Sequence, residues 1–109
     1  MPHPQLRSAA VLGLALGLAV VAPVRAQDKN LGRNLAAQCA NCHGTNGNSQ
    51  AAIPSLAGRD KGSIVSAMDE FKTGKRTGPQ ASIMHQIAKG YTDAQIVAMA
   101  EFFAAQKTK

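Results

Sequence analysis

The chain is 109 residues long and carries 12 Lys and Arg against 6 Asp and Glu, a formal charge of +6. That length excludes two ordinary domains. The positive charge comes with no dense basic run, three Phe, one Tyr and no Trp, which points away from nucleic acid and toward a charged face for a protein partner.

The first 26 residues read as an export signal. Arg7 closes a short leading segment, an apolar run follows from Ala9 to Ala22, and Val24-Arg25-Ala26 fits a small-residue cleavage site. The uncharged stretch from Ser8 to Val24 has 17 residues, at the lower edge of the ~17–25 that span a bilayer, so a retained anchor is the competing reading. Cleavage after Ala26 leaves residues 27–109 as one domain with no second apolar run of membrane length. Arg7 and Arg25 leave with the leader; ten basic residues then face six acidic ones, a net +4. A domain this short sits near the limit at which an apolar core suffices, and such domains usually carry a staple. With so few aromatics, a large flat cofactor is the expected filling.

The remaining elements are helical, and no apolar–polar alternation runs long enough for a strand. Asp28 is expected to cap a helix from about Lys29 to Cys39 or beyond, with Leu31 and Leu35 on one face. Gly44 to Ser55, with two Gly, two Asn and Pro54, reads as a loop. Gly62-Ser63 opens a second helix through about Phe71, striped by Ile64, Met68 and Phe71 and ended by Gly74. Lys75 to Gln80 is a loop broken by Gly78-Pro79, and Ser82 to Lys89 a short helix closed by Gly90. Thr92-Asp93-Ala94-Gln95 is a capping box for a last helix, striped by Ile96, Met99, Ala100 and Phe103. The expected fold is all-α: one domain of about four helices with long loops.

Cys39-Ala40-Asn41-Cys42-His43 carries the chemistry. In a helical turn, residues i, i+3 and i+4 share a face. Two thiols so placed reach the two vinyl groups of one haem, and the histidine points its imidazole at the iron. A structural zinc site needs four ligands, and this segment offers three. A thioredoxin-like pair needs strands around it. A disulfide across three residues of a helix is a poor staple and leaves His43 unexplained. Covalent haem c is the reading that uses all three residues.

A sixth ligand keeps the iron's shell unchanged between oxidation states, and a methionine there raises the potential. The candidates are Met68, Met84, Met99 and His85. Met68 and Met99 fall on the apolar stripes of strong helices, where core packing explains them. Met84 follows a Gly/Pro loop and precedes the capped last helix, a place from which a chain can cross a flat cofactor from its far side. His85 reads as an exposed helix residue. Pro54 has two readings: an ordinary loop proline, or a group beside the haem whose carbonyl accepts the second N–H of His43 and orients it.

The run from Cys39 to His43 with Gly44-Thr45-Asn46-Gly47-Asn48-Ser49 resembles the signature of class I bacterial cytochromes c. Pro54-Ser55-Leu56-Ala57-Gly58, Phe71-Lys72-Thr73-Gly74 and Met84-His85-Gln86-Ile87-Ala88-Lys89-Gly90-Tyr91-Thr92-Asp93 continue the likeness over nearly all of residues 27–109. Within that group the last run is similar to the cytochrome subunit of flavocytochrome c sulfide dehydrogenase. The resemblance implies the class I cytochrome c fold, Cys39 and Cys42 holding the haem, His43 and Met84 as its axial ligands, and Pro54 lining it. It also implies a periplasmic partner flavoprotein, bearing FAD, that takes two electrons from sulfide and releases them singly to the haem. Many members carry two haem domains in tandem; this sequence has one Cys-x-x-Cys-His. Two expectations remain side by side: a bound subunit of a sulfide-oxidising complex, and a free shuttle docking through charges such as Arg59, Lys61, Lys72, Lys75 and Arg76.

Overall fold

The computed structural model describes residues 28–109, together with the isolated positions Met1, Gly13, Gly17 and Ala19. The signal peptide expected over residues 1–26 lies outside the described stretch. No helix among the described residues is long and apolar enough to cross a membrane.

The first helix starts two residues later than a cap at Asp28 implies. Asn30 takes the N-cap position, and Asp28 builds the turn before it: its Oδ1 accepts from the Asn30 amide at 2.8 Å and its carbonyl from the Leu31 amide at 2.9 Å. An aspartate carboxylate readily bonds the backbone two residues on, which favours a turn over a helix start. Helix α1 (Leu31–Ala36) then tightens into a 3₁₀ turn (Ala37–Cys39) and reopens as α2 (Ala40–His43). The Cys-x-x-Cys-His segment therefore lies in right-handed helical backbone throughout.

A second 3₁₀ turn (Thr45–Gly47) leads into the loop. Helix α3 (Lys61–Lys72) begins one residue before Gly62, because Asp60 caps it by accepting from the Ser63 amide at 2.9 Å. It ends as expected, with Gly74 beyond it at φ +74°. Helix α4 (Ala81–Lys89) follows Gln80, whose φ is +62°, and closes at Gly90 with an ordinary φ of −77°. Helix α5 (Asp93–Ala104) carries the predicted capping box: Thr92 Oγ1 accepts from the Gln95 amide at 3.2 Å, and Gln95 Oε1 from the Thr92 amide at 2.9 Å. With α1 to α2 forming one continuous helical run, the described residues hold four main helices and no strand, and the architecture is all-α.

The packing runs through α5. Helix α1 crosses it, α3 lies against it, and α4 rests on α3. The predicted α5 stripe is buried in full: Ile96, Met99, Ala100 and Phe103. Ala36, Ile64, Ala100 and Phe103 form the central cluster, with Cys39, Leu56, Val65 and Phe102 against it. On the α3 stripe Ile64 is buried, while Met68 and Phe71 are half-buried. The α1–α5 crossing is close enough to demand glycine. A Cβ on Gly32 would strike the Ala98 carbonyl oxygen and stand 3.4 Å from Phe102 Cβ.

Gly32→Ala must push α1 off α5, since the obstacle is helix backbone and cannot rotate away. We expect a loss of about 1–3 kcal/mol, the usual cost of overpacking, read as a lower midpoint in guanidinium unfolding. An unchanged midpoint would contradict the crossing described.

Candidate functional site

Cys39 and Cys42 are free thiols, the first half-buried and the second exposed. Burial pushes the Cys39 thiol pKa up, and the nearby Cys42 adds to the rise. Both factors disfavour the thiolate next to a second sulfur. Immediately before Cys39, Gln38 accepts a 3.1 Å hydrogen bond from the Tyr91 hydroxyl.

His43 closes α2, and its ring is oriented from across the loop. Its Nδ1 donates to the Pro54 carbonyl at 2.7 Å. A carbonyl can only accept, so the proton sits on Nδ1 and the neutral imidazole leaves Nε2 with its lone pair free. This is the form of histidine that binds a metal. The loop holds the carbonyl in place by its own closures. The Gly47 carbonyl accepts from both the Leu56 and Ala57 amides, at 2.8 and 3.1 Å, and the Ser49 amide donates to Ser55 Oγ at 2.9 Å. No motif in the sequence marks Ser55 as the partner of Ser49. Gly44, which turns the chain out of α2, has φ +81°; a Cβ there would strike the Asn48 carbonyl. Only glycine suits both the dihedral and the space.

Helix α4 presents its residues in a graded arc. At about 100° per residue, Ile83, Ile87, Met84, Ala88, Ala81 and His85 follow one another around one side. Ala81 and Ala88 are buried, Met84 and His85 half-buried, and Ile83 and Ile87 are 55% and 41% exposed. Met84 thus stands where the covered part of the arc meets two large apolar side chains facing out. His85 is engaged elsewhere: its Nε2 is 2.6 Å from the Arg76 carbonyl, to which it donates, and its ring stands 6.0 Å from that of Phe71.

Several charges expected on a docking face are occupied within the molecule. Lys61 pairs with Glu101 at 2.6 Å, Lys72 with Asp93 at 3.1 Å, and Arg76 stands over the Phe71 ring at 5.4 Å with Glu70 at 4.0 Å.

The sequence model of the family described as Cytochrome c matches residues 30–107. The chain belongs to the cytochrome c family. It is 40% identical, over 80% of its length and 76% of the other's, to the cytochrome subunit of sulfide dehydrogenase of Chlorobaculum tepidum. It is 31% identical, over 75% of its length and all of the other's, to cytochrome c-554(548) of Halomonas halodenitrificans. It is also 35% identical to the thiosulfate dehydrogenase electron acceptor of Thiomonas intermedia, over 62% of its own length and 32% of that protein's.

As a cytochrome c, the chain is an electron carrier with one covalent haem c, and its residues fit that group. The thiols are free and three apart on helical backbone, and a histidine next to them carries a free Nε2. The buried set is thin: five of its nine members are alanine, namely Ala36, Ala57, Ala81, Ala88 and Ala100. Ile83 and Ile87 meanwhile stand outward on α4. A buried set made mostly of alanine, with Ile83 and Ile87 facing outward, suits a chain whose core is completed by a large apolar ring system.

The two thioethers predict distinct behaviour under denaturing extraction. Wild-type chain should retain the mass of one haem in acid acetone, as should each single Cys39→Ala or Cys42→Ala variant through its remaining sulfur. The double variant should release its haem completely, as read by mass spectrometry. Haem retained on the double variant would refute attachment through these cysteines.

Proposed function

We propose that this cytochrome is the haem-bearing subunit that accepts electrons from a sulfide-oxidising flavoprotein in the periplasm, with residues 1–26 removed on export. The observation that carries the choice of partner is the 40% identity to the cytochrome subunit of a sulfide dehydrogenase. The FAD-bearing partner receives two electrons from sulfide and releases them one at a time to this chain, in the resemblance to flavocytochrome c sulfide dehydrogenase.

His43 and Met84 are the axial ligands in this reading. Support for His43 comes from its tautomer: the Pro54 carbonyl holds the proton on Nδ1 and leaves Nε2 for the iron. Pro54 acts as an orienting neighbour through that carbonyl. Support for Met84 comes from its place on the arc of α4, beside Ile83 and Ile87, which a flat apolar group would cover. His85 is the weaker candidate, since its Nε2 is taken by the Arg76 carbonyl. The haem supplies a reversible one-electron change at its iron. The protein's part is to fix the two ligands so that neither departs between oxidation states, to exclude water from the ring, and to leave an edge near the surface for tunnelling.

A second reading keeps the same carrier and changes the donor. Likeness to a thiosulfate dehydrogenase electron acceptor favours a freely diffusing shuttle serving another dehydrogenase. Purification from the native host separates the two. Co-elution of a flavoprotein, with sulfide-dependent reduction of the haem, is the result the first reading requires. A haem monomer that sulfide and flavoprotein leave oxidised overturns it.

Met84→Ala should lower the reduction potential, by on the order of 0.1 V, and admit imidazole or cyanide to the iron. His85→Ala should do neither. Equal potentials for wild type and Met84→Ala would remove Met84 from the ligand shell.

A further inference from the structure

Helix α4 packs chiefly on α3, with His85 at its middle bonded to the Arg76 carbonyl, so its two ends bear on how it is placed against the rest of the domain. The N-terminal end emerges from an exposed loop through Gly78 at φ +128° and Gln80 at φ +62°, a left-handed backbone that glutamine adopts at a cost. At the C-terminal end a short turn, Gly90 to Thr92, leads straight into α5. Within that turn, Tyr91 makes the bonds that reach other parts of the fold.

Tyr91 is bonded to three parts of the fold, and its partner Lys72 reaches a fourth. Its amide donates to the Ala88 carbonyl of α4 at 3.3 Å. Its carbonyl accepts from Lys72 Nζ at 2.8 Å, at the last residue of α3. Its hydroxyl donates to Gln38 Oε1 at 3.1 Å, one residue before Cys39. The same Lys72 ammonium donates to Asp93 Oδ1 at 3.1 Å, the first residue of α5.

We propose that Lys72 and Tyr91 are positioning residues that bolt α4 to the Cys39 segment and so govern how readily the Met84 sulfur leaves the iron. The inference rests on the reading of Met84 as that ligand. Two magnitudes assign the work within the cluster. Asp93 is 95% exposed, so its ion pair with Lys72 contributes little. The bond from Lys72 to the Tyr91 carbonyl is part-buried, short and charge-assisted, and is the strong contact. Lys72 therefore acts through the carbonyl of residue 91 rather than as a surface charge. The Tyr91 hydroxyl adds a weaker, neutral tie to Gln38.

The test is the rate at which imidazole displaces the intrinsic ligand from oxidised, haem-loaded protein, followed by loss of the methionine–iron absorption band. Lys72→Met should speed displacement about tenfold, and Tyr91→Phe about threefold, as charge-assisted and neutral hydrogen bonds are lost. Asp93→Asn should stay within about twofold of wild type, as expected for an exposed pair. Lys75→Met, which removes the same charge at an exposed loop position, should also stay within about twofold. Lys72→Arg, which keeps a charged donor, should recover most of the wild-type rate. The proposal is overturned by a wild-type rate in Lys72→Met, or by Asp93→Asn or Lys75→Met matching it. Should Lys72→Met fail to load haem, Tyr91→Phe decides by the same readout. Failure of the underlying ligand reading looks different: wild type would lack the methionine–iron band, and Met84→Ala would take up imidazole at the wild-type rate.

Discussion

The hydrogen bond from His43 Nδ1 to the Pro54 carbonyl is the constraint around which this domain is arranged. An imidazole has two nitrogens, two neutral tautomers and free rotation about its side chain. A fixed carbonyl on one side removes all three freedoms at once. The loop from Gly47 to Leu56 supplies that carbonyl. The loop is in turn closed by the Gly47 carbonyl and by the bond between Ser49 and Ser55. Much of what lies between Gly44 and Leu56 thus acts at a distance on one nitrogen atom.

The second constraint is the scarcity of polypeptide core. The central cluster contains one phenylalanine, one isoleucine and two alanines. A domain of this size needs an additional source of stability, and a covalently attached apolar ring provides both burial and cross-linking. The protein elements divide accordingly. The α1–α5 crossing and the α3 packing form a scaffold that stands on side-chain contacts. Helix α4, with its outward isoleucines, lies on the cofactor's side in the proposed reading of Met84. Besides its packing on α3, α4 is tied by hydrogen bonds at its middle, from His85 to the Arg76 carbonyl, and just past its C-terminal end, through Tyr91.

Much of the fold was legible locally. The α5 stripe and its Thr92–Gln95 box were both readable, because capping and periodicity depend on residues a few positions apart. The helix starts at Leu31 and Lys61 were misplaced by one or two residues. In each case an aspartate near the boundary had two local uses, a turn or a cap, and the choice fell to neighbouring contacts. The expected docking charges were less legible still. Lys61, Lys72 and Arg76 read as free surface cations, yet each meets an acidic or carbonyl partner from a distant part of the chain or from the facing turn.

By itself the sequence determined the all-α class, the haem-attaching motif and the family, since these are carried by short spacings and by residue types that few other chemistries require. Only the tertiary structure decided which nitrogen of His43 is free, that His85 is engaged by Arg76, and that Lys72 meets the Tyr91 carbonyl. Each of those joins groups 9 to 19 residues apart. A hydrogen bond is satisfied within a few tenths of an ångström and over a narrow range of angles, so its partners are chosen by how packed helices bring backbone together. That information does not reside in any local pattern of side chains.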